Sequence, residues 1–256
     1  MTEAWTSRPL DLGTDEVHVW YAFPERVAGL TSVEHLRAIL SDEETARQRR
    51  FVFEKDRDLF LVARVLVRVV LSRYAGVAAA AWNFTEDAHG KPEIAGPAEG
   101  IGLRFNLSHT GGMATCAVTR NHDVGVDVEN VNRRVSMTEL ARRYFAAREA
   151  EAIERLSGAA QRERFFAYWT LKEAYVKARG LGLSIPLDGF AFEFDSRDNA
   201  RIVFMDAVTD SAADWQFARF QPSRPHRIAV AIRAPSDRPL AISIQEMIPP
   251  GGFDTV

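Results

Sequence analysis

A single cysteine, Cys116, stands in 256 residues. One thiol cannot close a disulfide within the chain, which excludes a disulfide-stapled scaffold and fits a reducing cytosol. Long apolar runs are also missing. The longest falls far short of the roughly 20 residues a membrane helix needs. The opening stretch from Met1 to Gly13 lacks the basic segment and apolar run of a secretory leader. No surplus of positive charge exists either. Lys and Arg total 32 against 35 Asp and Glu, a formal net charge of -3, where a general nucleic-acid binder is usually basic. Several motifs are absent: the G-x-x-x-x-G-K-[ST] phosphate loop, G-x-G-x-x-G, CxxC, HExxH and G-x-S-x-G. Nucleotide binding by the common loops, a zinc site and a nucleophile elbow are thereby set aside.

What remains is ordinary for a soluble globular protein, with 46% hydrophobic and 26% charged residues, and the single thiol points to the cytoplasm as the expected location. The length suits one large domain or two small lobes. Glu16 to Phe23 alternates as a strand does. Ser41 followed by Glu44 is a capping box, and helical periodicity is expected from there through Leu59 to Tyr74, stopped by Gly76. Residues 96–102 read as a flexible loop. Strands are expected at Leu103–Leu107, Met113–Thr119 and Val124–Val128, with Ser108-His109 ending the first. Helices follow near 138–145, 147–156 and 160–179. Strands return at 189–194, 200–204, 214–221, 226–233 and 241–247. Both halves share this coarse plan. The expected architecture is therefore α+β in two similar lobes, 1–122 and 123–256, with a ligand cleft between them.

Two constellations carry charge in a suggestive pattern. In Gly125–Glu129 (GVDVE), Asp127 and Glu129 fall on one face of a strand, about 7 Å apart. Hard oxygen donors in small number suit Mg²⁺, and Gly125 leaves room for a close approach. Alone, the motif fits a half-exposed strand with a solvated acidic face better than a metal site. In Phe166–Leu183 (FAYWTLKEAYVKARGLGL), Trp169, Glu173 and Lys177 recur at i, i+4 and i+8 along one helical face. A surface Glu–Lys pair is the plainer explanation, and Lys172 by itself reads as a solvated lysine. Ser108-His109 and the turn Gly90-Lys91-Pro92 are weaker signals, as are the arginines Arg47, Arg49, Arg50, Arg57 and Arg64.

Taken in order, FNLSHT (105–110), GVDVE and FAYWTLKEAYVKARGLGL, with the earlier QRRFVFEKD (48–56) and GKP (90–92), resemble the 4′-phosphopantetheinyl transferases, in particular the large surfactin-synthetase-activating class. The similarity covers roughly residues 41–194. It implies two α+β lobes related by a pseudo-twofold axis. It also implies Mg²⁺-dependent transfer (Mn²⁺ as the alternative ion) of the 4′-phosphopantetheine arm of coenzyme A to a carrier-protein serine, releasing adenosine 3′,5′-bisphosphate. Carried over by motif, Asp127, Glu129 and Glu173 hold the metal, and Lys177, Ser108, His109 and Lys172 contact phosphates. Lys91 and Pro92 lie by the nucleotide. Arg47 or Arg64 meets the 3′-phosphate, although Glu44 stands where the family usually has a base. Glu173, Lys177 and Asp127 are the catalytic candidates. Expected partners are apo carriers of nonribosomal-peptide, polyketide or fatty-acid synthases, met by a monomer. A non-catalytic coenzyme A or carrier-binding module, and a phosphohydrolase using the same acids, are the competing classes.

Overall fold

The computed structural model describes residues 10–97, 101–235 and 237–248. Part of the 96–102 loop expected above lies outside these residues. The chain divides into two compact units, residues 1–121 with 241–256, and residues 122–240.

The first unit opens with β1 (Glu16–Ala22), α1 (Pro24–Ala28), α2 (Val33–Arg37) and α3 (Asp42–Arg49). The Ser41 capping box is present: Ser41 Oγ accepts from Glu44 N at 3.2 Å, and Glu44 Oε2 accepts from Ser41 N at 3.0 Å. Then comes α4 (Glu54–Ala75), closed by Gly76 at φ +65°. The expected single helix from Ser41 to Tyr74 is thus two helices. Phe53 is extended and begins α4. Phe51 turns inward onto Phe60, with ring centroids 5.4 Å apart. The chain end of α3 is held by Arg57, whose Nη1 donates to the carbonyls of Phe51 and Val52. Periodicity continued through this break because the apolar pattern of α4 begins just beyond it.

Next come β2 (Asn83–Glu86), β3 (Pro92–Gly96), β4 (Leu103–Thr110) and β5 (Met113–Arg120). The core of this unit is α4 laid on the sheet, with Leu61, Leu66, Val70 and Trp82 buried against Trp20, Phe105 and Val118.

The second unit contains β6 (Val124–Asn130), α5 (Met137–Tyr144), α6 (Ala147–Glu154) and α7 (Gly158–Arg179). These are followed by β7 (Phe190–Phe194), β8 (Ala200–Phe204), β9 (Trp215–Ser223) and β10 (His226–Arg233). Strands β6, β10 and β9 form an antiparallel sheet in that order, and β7 pairs with β8 as a hairpin. The long helix α7 packs on β6 and β10.

The last strand, β11 (Ala241–Glu246), pairs parallel with β1 and completes the sheet β11-β1-β5-β4 of the first unit. This corrects the expected lobe boundary. Residues 123–256 are not one lobe, because alternation alone gives no signal for which sheet a strand joins. Among the described residues no helix is long and apolar enough to cross a membrane.

Gly125 decides how α7 seats on its sheet. A Cβ built there would lie 2.0 Å from the carbonyl oxygen of Ala174 and 2.3 Å from the amide nitrogen of Ala178. Both atoms are helix backbone and cannot swing aside. Small residues opposite continue the flat seat: Ala231 is the register partner of Gly125 and Ala229 that of Asp127. Gly125→Ala should therefore destabilise the fold by about 3 kcal/mol or more, through overpacking against a rigid neighbour. Urea unfolding at neutral pH reads this directly. A loss under about 1 kcal/mol would mean that the helix can slide.

Candidate active site

The close seat of α7 brings two charged rows together. Asp127 and Glu129 follow Gly125 on the same face of β6. Glu173 and Lys177 sit one residue before Ala174 and Ala178, the two residues that touch Gly125. Lys177 Nζ donates to Asp127 Oδ1 at 2.6 Å, and Asp127 itself is buried. Glu129 Oε1 pairs with Arg133 Nη2 at 2.9 Å. The Arg133 guanidinium also lies 5.6 Å from the ring centroids of both Phe166 and Trp169.

Electrostatics confirm that the acids feel one another. Burial pushes the Glu129 carboxyl up to about 7, with the Asp127 charge adding to the rise and Arg133 opposing it. Burial likewise raises Glu173, and Asp127 again adds to it, while Lys177 works against it. Carboxylates that disfavour each other's ionised forms are a store of negative potential, and cations are drawn to it. In this structure the positive charge is supplied by Lys177 and Arg133. Among the described residues no group of three or more His, Cys, Asp and Glu side chains is placed to hold a metal ion.

Four of the expected residues, Asp127, Glu129, Glu173 and Lys177, are therefore brought together in the second unit. Arg133 belongs with them and was not singled out as a site residue. Its only trace in the sequence was its place four residues after Glu129.

In the first unit, Arg47, Arg64 and Pro92 line one cleft of about 600 Å³ with Ser41, Glu44, Phe60, Arg68 and Phe84. Glu44 is the hub of this cleft. Its carboxylate accepts from Arg64 Nε at 2.8 Å and from Arg68 Nε at 2.9 Å. Arg47 instead lies 5.6 Å from the centroid of Phe60. Lys91 follows Gly90, at φ +82°, in a turn fastened by Asp87 Oδ1, which accepts from the amides of His89 and Lys91. Ser108 and His109 lie within β4 rather than in a turn, paired opposite Thr115 and Ala114. As strand neighbours they point to opposite faces, Ser108 buried and His109 exposed.

Comparison with known proteins bears on both units. A family model described as "4'-phosphopantetheinyl transferase superfamily" matches residues 123–231. A second, "4'-phosphopantetheinyl transferase, N-terminal", matches residues 30–121. The protein named 4'-phosphopantetheinyl transferase HetI from Nostoc is 36% identical over 186 residues, 72% of this chain and 78% of that one. The chain belongs to the 4'-phosphopantetheinyl transferase superfamily. The transferase named Sfp from Bacillus subtilis is 32% identical over 158 residues, 62% of this chain and 68% of its own. A human relative, "L-aminoadipate-semialdehyde dehydrogenase-phosphopantetheinyl transferase", is 27% identical over 230 residues, 83% of this chain and 72% of its own.

One residue expected to touch phosphate in this transferase does not. Lys172 is fully buried, and its ammonium donates to Glu149 Oε2 at 2.8 Å, Leu187 O at 2.7 Å and Phe190 O at 2.6 Å. All three donors of the lysine are then used. Glu149 in turn accepts from the amides of Phe192 and Ala146. Burial pushes Glu149 up and Lys172 down, and their mutual attraction opposes both shifts. Lys172 is thus a tie between α7, α6 and the start of β7. Its position beside Glu173 made the two look alike in sequence, but neighbours on a helix are about 100° apart around its axis.

Two outcomes follow from these pairs. Lys172→Met should cost about 3–5 kcal/mol, since it strands a buried carboxylate. The double change Glu149→Met with Lys172→Met should recover part of that loss in urea unfolding. For Glu129, the folded protein holds a proton between about pH 4.5 and about pH 7 that the unfolded chain has released. The unfolding free energy therefore falls as pH rises through that window, by an amount of order 3 kcal/mol. Glu129→Gln in a chelator-containing buffer should flatten the slope. An unchanged slope would assign it elsewhere.

Proposed function

We propose that this transferase moves the 4′-phosphopantetheine arm of coenzyme A onto a serine of an apo carrier protein, using the Asp127–Glu129–Glu173–Lys177 cluster. The observation that carries the reading is the meeting of three coupled carboxylates and one lysine at the contact of α7 with β6. An anionic cluster of hard oxygen donors, with two carboxyls shifted upward, fits a divalent cation by its chemistry. Asp127, Glu129 and Glu173 are the residues that would hold Mg²⁺, with Mn²⁺ as a substitute. Bound there, the ion would neutralise charge on the coenzyme's pyrophosphate.

The remaining work falls to side chains. Lys177, now on Asp127, supplies a fixed positive charge for the phosphate that leaves with adenosine 3′,5′-bisphosphate. The carrier serine hydroxyl attacks the β-phosphorus; its O–H proton passes to Glu173, and the bond from phosphorus to the leaving phosphate breaks. A carboxyl raised by burial is a stronger base than a solvated one, which favours Glu173 for that task. In the first unit Arg47 and Arg64 are the candidates for the 3′-phosphate, with Lys91, Pro92, Ser108 and His109 beside the nucleotide. We place the enzyme in the cytoplasm as a monomer serving nonribosomal-peptide, polyketide or fatty-acid carriers.

Mixing the protein with coenzyme A, Mg²⁺ and an apo carrier, then weighing the carrier, tests the reading. A gain of one phosphopantetheine arm is expected. Binding of coenzyme A with no gain in mass would indicate a binding module, and phosphate release from small esters without a carrier would indicate a hydrolase. Asp127→Ala should lower the transfer rate by at least 10²-fold, and Glu173→Gln by about 10²- to 10⁴-fold. Near-normal turnover in either variant would overturn the assignment.

A further inference from the structure

The link between α3 and α4 carries the two most exposed large apolar side chains among the described residues, Val52 at 82% and Phe53 at 63%. Core packing does not explain them, because Phe51 is the member of the Phe51-Val52-Phe53 run that turns inward. The helix start does not explain them either. Phe53 occupies the N-cap position of α4 and makes no side-chain cap hydrogen bond, where Ser, Thr, Asp or Asn would stabilise the helix. The link is also held firmly. Arg57 Nη1 donates to the carbonyls of both Phe51 and Val52 at 3.0 Å, and Phe53 O accepts from the amides of Asp56 and Arg57 at 3.1 Å. A fixed apolar knuckle costs little entropy to bury in a partner.

The surroundings indicate the charge of that partner. Residues 47–57 hold five cations (Arg47, Arg49, Arg50, Lys55 and Arg57) against the two carboxylates Glu54 and Asp56, a net of +3 in a chain of net -3. Arg49 and Arg50 are exposed and in no ion pair among the described residues. Lys55 Nζ lies 5.8 Å from the ring centroid of Phe53.

We propose that Val52 and Phe53 form a docking knuckle for the carrier protein, seated against an apolar spot on an acidic face. The proposal rests on the transferase reading above. An aromatic anchor with Lys55 over its ring, and with Arg49 and Arg50 close by in the chain, combines a hot spot to be buried with electrostatic steering. A second copy of this chain is a poorer occupant, since a twofold contact would set one +3 segment against another.

Phe53→Ser is the decisive variant, because serine is a better N-cap and should leave the melting temperature unchanged or raise it. The measurement is steady-state transfer from coenzyme A to a purified apo carrier domain. Expected is a roughly tenfold rise in KM for the carrier, with KM for coenzyme A and kcat at saturating carrier unaltered. Arg49→Glu with Arg50→Glu should raise carrier KM as well and flatten its dependence on salt. An indifferent Phe53→Ser beside an active wild type overturns the knuckle alone. So does a wild type that dimerises at assay concentration and becomes monomeric on Phe53→Ser, which would give the patch to a second copy. A wild type that adds no arm at all sinks the transferase reading, and the docking site with it.

Discussion

The approach of α7 to β6 at Gly125 is the constraint on which the second unit depends. Helix backbone lies where any other residue would place a side chain. That contact fixes the rotation and height of α7, and hence the position of Glu173 and Lys177 over Asp127. It is reinforced from the far side of the helix, where Lys172 is tied to Glu149 with no exposure on either partner. One face of α7 is thus pinned by sterics and another by a buried ion pair. A helix held in this way keeps the carboxyls buried with like charge close by, and burial first, then the Asp127 charge, raises Glu129 and Glu173.

The cluster is balanced rather than empty of cations. Lys177 and Arg133 each answer one carboxylate, so gathering the acids round an ion means moving a lysine off Asp127. Lys177 lies one helical turn beyond Glu173, on the same face of α7.

Much of this was legible in the residues. The ordered motifs identified the family, and strand alternation in GVDVE put Asp127 and Glu129 on one face. Gly125 signalled a close approach, and that approach is the α7 backbone. Other features depend on tertiary contacts with no local trace. The break between α3 and α4 is made by Arg57 reaching back to two carbonyls, while the flanking periodicity runs on. Lys172 and Lys177 are both lysines on one helix, and only their burial separates a structural tie from a site residue. Glu44 gathers Arg64 and Arg68 from a turn and more along α4, so an arginine expected to be open to phosphate already has a carboxylate at its Nε. Nor does a short alternating strand such as β11 say which sheet will take it.

That strand has a consequence for how the molecule is made. The first unit places residues 241–246 beside β1, while the second unit is one uninterrupted stretch, residues 122–240. On the ribosome, the middle of the protein can fold as soon as it emerges. The opening part must wait, its sheet incomplete, until the final strand clears the exit tunnel. The edge of β1 stays bare in the interval, an unpaired strand edge of the kind that invites pairing with another chain.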